Sequence, residues 1–109
     1  MTTVRFIRRG GVLAGVTCKG HTGYAEEGED IVCAAVSSVV QTAVLGLMRL
    51  AGIDVEYKVD EKEGFLSATI PEKLTAAQRH DADLILRTAY LGVSDLYEEF
   101  SDFINLEVE

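Results

Sequence analysis

Ile31-Val32-Cys33-Ala34-Ala35-Val36-Ser37-Ser38-Val39-Val40-Gln41-Thr42-Ala43-Val44-Leu45-Gly46-Leu47-Met48-Arg49-Leu50 is the stretch on which the fold turns. Its Ala and Val content suits a buried strand or a buried helix. Its length decides for helix, because strands rarely exceed about ten residues. The expected helix spans residues 31–52, with Gly52 as its C-terminal stop. Arg49 is the single charge within it. A helix apolar nearly all round is covered on more than one side. A sheet covers one face, and a second helix or a second copy of the chain must cover the rest. A membrane span is the competing reading by length. Ser37, Ser38, Gln41, Thr42 and Arg49 within the run argue against it, as does an amphipathic remainder that needs a core to pack on.

Just upstream runs Gly20-His21-Thr22-Gly23-Tyr24-Ala25-Glu26-Glu27-Gly28-Glu29-Asp30. Gly20, Gly23 and Gly28 permit backbone angles that other residues resist, so residues 20–30 read as a mobile loop. Asp30 is a strong N-cap, because its carboxylate accepts from a free N–H of the first turn. With Ile31 as the first helical position, Cys33 is the third. A thiol there lies in the positive end of the helix dipole, which favours thiolate.

Toward the N-terminus, residues 3–9 have the β-branched and aromatic content of a strand, Gly10-Gly11 signals a hairpin, and residues 12–19 form the return strand. Val12, Ala14, Val16 and Cys18 share one face of it, so Cys18 reads as a small, inert core residue. Downstream, residues 54–60 alternate with Val55, Tyr57 and Val59 on one face, the pattern of a half-buried strand. Glu61-Lys62-Glu63-Gly64 is a turn, residues 65–70 are the return strand, and Pro71 stops it. Thr75 and Gln78 form a capping box for a second helix. Its apolar face runs through Ala82, Ile85, Leu86, Ala89, Val93, Leu96, Tyr97 and Phe100. His80, in its first turn, reads as a solvated surface residue. Ile104, Leu106 and Val108 alternate as a short last strand. The order is ββαββαβ: an α+β single domain, with two main helices packed on a mainly antiparallel sheet.

The chain has 109 residues, 48% of them apolar and 26% charged, which fits one folded domain with one modest core. The net charge of −8 argues against nucleic acid as a direct partner and suits a basic one. Arg5, Arg8, Arg9 and Lys19 lie within residues 1–20, and all 18 Asp and Glu lie beyond. No signal-peptide pattern opens the sequence, so a cytoplasmic protein with reduced Cys18 and Cys33 is expected.

The candidate chemistry rests on His21 and Cys33. His21 takes the thiol proton, the thiolate attacks a carbonyl, and backbone N–H groups near residues 31–33 face the oxyanion. Asp30 either orients the His or serves only as a cap. Ser37 shares a helix face with Cys33 and either touches the site or bonds back to the helix carbonyl at position 33. Glu26, Glu27 and Glu29 oppose thiolate formation and make sense only if they recognise a cationic substrate. On these residues alone, a buried helix Cys beside a capping loop remains the favoured alternative. Too few N or S ligands converge for a metal site. No cofactor is expected.

Gly20-His21, a loop, and then Gly28-Glu29-Asp30-Ile31-Val32-Cys33-Ala34-Ala35-Val36-Ser37 resembles the signature of the ribosomal-processing cysteine protease family, Prp. The resemblance extends over the chain in length and element order. It implies a small, dimeric, cytosolic bacterial cysteine endopeptidase. The activity implied is removal of the N-terminal extension of large-subunit ribosomal protein 27, in ribosome maturation. It carries the catalytic pair onto His21 and Cys33 and places Asp30 and Ser37 on motif positions. Gly20, Gly23, Glu26, Glu27, Gly28 and Glu29 then become candidate substrate-binding residues, the acids suiting a Lys-rich peptide. The partners expected are the ribosomal protein precursor and a second copy of the chain. Two other readings stay open: a non-enzymatic assembly factor that binds a basic ribosomal protein, and a thiol redox sensor.

Overall fold

The computed structural model describes residues 1–20 and 29–109. Seven elements follow one another: β1 (Thr2–Arg9), β2 (Val12–Lys19), α1 (Glu29–Arg49), β3 (Glu56–Asp60), β4 (Phe65–Thr69), α2 (Ala76–Glu99) and β5 (Ile104–Val108). The ββαββαβ order is the expected one. The strands form one five-stranded sheet in the order β3-β4-β2-β1-β5. Every pairing is antiparallel except β1 with β5, which is parallel.

Local chemistry explains the joints. Gly10 and Gly11 take φ of 63° and 84°, the left-handed pair that a tight hairpin demands and that matches strand twist. Thr75 caps α2 with the anticipated capping box: its hydroxyl accepts from the Gln78 N–H, and the Gln78 side chain accepts from the Thr75 N–H. Gly52, at φ 65°, turns the chain so that the Ile53 N–H reaches the Leu47 carbonyl at 3.0 Å.

Both helices cover one face of the sheet. Val4 and Phe6 of β1, Ala14, Val16 and Cys18 of β2, and Leu66 and Ala68 of β4 are buried on that face. Against them pack Val32, Val36, Val40, Val44 and Leu47 of α1, with Ala82, Leu86, Ala89 and Val93 of α2. Phe6 meets Tyr90 edge-on, ring centroids 5.3 Å apart, and so ties β1 to α2. Residues Ile31–Arg49 are long and apolar enough to cross a membrane by length and composition, and in this fold they are a core helix.

Several boundaries and faces differ from expectation. The central helix runs over 29–49, not 31–52. Asp30 therefore lies inside the helix and not ahead of it as the N-cap. Residues 50–52 leave the helix before the glycine, because the left-handed Gly52 closes the chain back on the last turn. β3 was read as half-buried from its alternation, yet all five of its residues are exposed. It is an edge strand that α1 does not overhang, so Tyr57 and Val59 keep the pattern without the cover. Val12 is exposed at the end of its strand, and Tyr97 and Phe100 are exposed at the end of theirs. His80 is a surface side chain beside Asp81, as anticipated.

Candidate active site

Cys33 sits one helical turn beyond Glu29, partly exposed, on the α1 face that turns toward the ends of β2, β3 and β4. Because the helix begins before Ile31, Cys33 lies further from its N-terminus than the third position expected. The dipole acts on it less there, since that effect fades within the first turn. The four-residue spacing puts Ser37 and Gln41 on the same line of the helix. With Cys18, Gly20 and the β3–β4 turn, they enclose a cavity of about 150 Å³.

Three strands build the far wall. The Gly20 N–H donates to the Gly64 carbonyl at 2.8 Å and pins the end of β2 to the β3–β4 turn. That turn is held by Asp60, whose Oδ1 accepts from the N–H groups of Lys62 and Glu63, and by Gly64 at φ 63°. Val59, Asp60 and Glu61 thereby become lining residues. Gly20 itself lies against the nucleophile. A Cβ there would sit 2.5 Å from Cys33 Sγ, so only a glycine lets the backbone come this close.

Cys18 is buried as anticipated, and both cysteines are free thiols. Burial pushes the Cys18 thiol up to about 11, with the nearby Cys33 adding to the rise and the Ser37 hydroxyl opposing it. Ser37 thus reaches the thiol of Cys18, which settles which way its side chain is used. Among the described residues, no group of three His, Cys, Asp or Glu could hold a metal ion.

The structure brings together Gly20, Cys33 and Ser37 of the candidate residues. His21, Gly23, Glu26, Glu27 and Gly28 lie outside the described residues, as does most of the predicted mobile loop. Glu29 and Asp30 are described as helical backbone. Sequence reasoning missed Cys18, Val59, Asp60, Glu61 and Gly64 as neighbours of Cys33. The turn at 61–64 was legible, but its place beside the thiol depends on β4 lying next to β2.

A partly exposed thiol near a helix start, in a cleft floored by a glycine, on an α+β scaffold, defines a cysteine-nucleophile hydrolase. The comparisons give the family. The model of the family described as cysteine protease Prp matches residues 1–105, and the chain belongs to that family. It is a cysteine protease. It is 31% identical to the ribosomal processing cysteine protease Prp of Bacillus subtilis, over 97% of this chain and 92% of that protein. The structure resembles SMU.848 from Streptococcus mutans with a TM-score of 0.84 and 33% identity, covering 99% of this chain and 93% of that one. It also resembles the Staphylococcus aureus ribosomal processing protease Prp in complex with a substrate peptide. There the TM-score is 0.87 and the identity 25%, over the full length of both chains.

Proposed function

We propose that this chain is a cysteine endopeptidase with Cys33 as nucleophile and His21 as base. On this reading it removes the N-terminal extension of large-subunit ribosomal protein 27. The observation that carries the reading is the contact of Gly20 with Cys33 Sγ. His21 is the next residue along the chain, so the base is tethered to a backbone already touching the sulfur. His21 accepts the thiol proton, the thiolate adds to the scissile carbonyl, and helix-start N–H groups stabilise the oxyanion. The amine leaves with the proton, and water hydrolyses the thioester. A relative of this chain, the Staphylococcus aureus protease, has been seen with a covalently linked product peptide, which supports the thioester stage here.

The substrate lies extended beside α1. Tyr57 and Val59 pair in register with Ala68 and Leu66 and share their face of the sheet. Both are exposed and lead toward the cavity. They suit apolar side chains of the peptide, while Asp60 and Glu61 near the mouth suit a basic residue. The candidate roles of Asp30 and of the acidic residues Glu26, Glu27 and Glu29 belong to the same reading.

A homodimer in the cytoplasm completes it. A groove of about 600 Å³ between α1 and α2 is lined by Val39, Gly46, Leu50, Leu84, Ile85 and Gly92. Leu50 is 87% exposed at its edge. That apolar surface supports the second copy that the over-apolar helix calls for. Light scattering on the purified protein gives the mass that tests the dimer.

The test of the activity is incubation with the ribosomal protein bearing its extension. The protein as it stands cuts, and the Cys33→Ala and His21→Ala variants do not. Cutting by Cys33→Ala would end this reading.

A further inference from the structure

Thr2 is a polar side chain in the core, fully buried among Val4, Phe6 and Ile104. Its hydroxyl has no hydrogen-bond partner. Such orphans are rare in folded proteins, and each calls for an explanation. The fold does not supply one. Thr2 is held by its backbone, whose N–H donates to the Phe103 carbonyl at 2.8 Å, and by its register with Ile104 of β5. A valine would fill the same strand position and leave nothing unpaired.

Position supplies the explanation. Thr3 pairs with Lys19, which brings Thr2 alongside Gly20. The point where a Gly20 Cβ would stand is 2.5 Å from Cys33 Sγ and 3.8 Å from Thr2 Oγ1. The sulfur and the idle hydroxyl therefore flank one small space that a glycine leaves open. Ser94 also carries an unpartnered hydroxyl, but it lies on α2 and is not part of the wall around Cys33.

We propose that the Thr2 hydroxyl is the hydrogen-bond donor to the sulfur of Cys33 when that sulfur carries negative charge. The inference rests on Cys33 being the nucleophile. A neutral thiol is a weak acceptor and leaves the hydroxyl idle, as observed. Once the proton has passed to the base, the thiolate is a strong acceptor, and a rotatable O–H beside it makes a charge-assisted bond. The bond is given up as the sulfur becomes a thioester. It is regained as hydrolysis expels the sulfur, so the same donor assists both attack and departure. No atom is transferred to or from Thr2.

The experiment compares Thr2→Val, which keeps the shape without the hydroxyl, with Thr2→Ser, which keeps the hydroxyl. Alkylation of Cys33 by iodoacetamide is followed by site-resolved mass spectrometry from pH 6 to 11, with no peptide present. In Thr2→Val the rate at neutral pH falls about tenfold, the loss expected when ionisation moves by one pH unit. The alkaline plateau is unchanged, kcat/KM falls in parallel, and the melting temperature holds or rises. Thr2→Ser restores the neutral-pH rate. A Thr2→Val curve that superimposes on the original overturns the proposal, as does a loss of rate that Thr2→Ser fails to restore. Because alkylation is read without proteolysis, its outcome is separate from that of the Cys33→Ala cleavage test.

Discussion

The backbone of Gly20 rests on the sulfur of Cys33, so close that a methyl group at position 20 would stand 2.5 Å from Sγ. The same glycine donates its N–H to Gly64 and cannot retreat without releasing the β3–β4 turn. Gly20→Ala is therefore expected to displace the nucleophile. Overpacking of this kind costs about 1–3 kcal/mol. Thermal unfolding checks the stability, and peptide cleavage checks the activity, which is expected to fall further than the stability does.

Cys18 and Cys33 share a cavity but differ in chemistry. Burial holds Cys18 protonated up to about 11. In the native protein, iodoacetamide at pH 8 is expected to label Cys33 and spare Cys18, as peptide mapping would show. The same shift sets an alkaline limit. The folded-state value is raised, so its contribution is intact below the ordinary thiol value of 9.0 and is lost as pH climbs toward 11. The full loss is about 2–3 kcal/mol at 1.36 kcal/mol per unit. Cys18→Ala is expected to flatten that part of the stability–pH curve measured by urea unfolding.

The exposed pair Tyr57 and Val59 gives a test of substrate placement. Replacing both with Ser leaves a solvent-facing edge strand whose stability changes by about 0.5 kcal/mol or less per site. Cleavage of a peptide with apolar residues near the scissile bond is expected to lose about tenfold in kcat/KM, the effect of about 1.4 kcal/mol of lost contact. An unchanged kcat/KM would place the peptide elsewhere.

Far from the cavity, Thr75→Ala removes the side-chain acceptor of the Gln78 N–H. A lost N-cap costs about 1 kcal/mol. The melting temperature is expected to drop by several degrees while cleavage at room temperature is unaffected. This variant separates global stability from the behaviour of the site.

The elements were legible where the determinants are local. Gly10-Gly11, the Thr75–Gln78 box and the three-and-four spacing through Leu86 and Val93 each carry their own signal, and the structure agrees at each. The β3 face was misread because alternation records two different faces, not which of them is covered. Cover depends on where α1 crosses the sheet, and no residue of β3 encodes that. Asp30 was read as a cap because Asp favours that role, yet the helix starts one residue ahead of it. The motif from Gly28 to Ser37 located the nucleophile. The wall facing it, drawn from Gly20, Val59 and Gly64, became visible only with the strand order.

The parallel pairing of β1 with β5 sets Thr2 beside Ile104 and Phe6 beside Val108. As the polypeptide is synthesised, β1 emerges early and has its outer rim open until the last strand arrives. The hairpin of β1 and β2 can form at once, but the sheet is complete only when nearly all the chain is out. The wall behind Cys33 includes Thr2, so the nucleophile's surroundings are finished late in that sequence, and a newly made chain gains a competent thiol only after its final strand has docked.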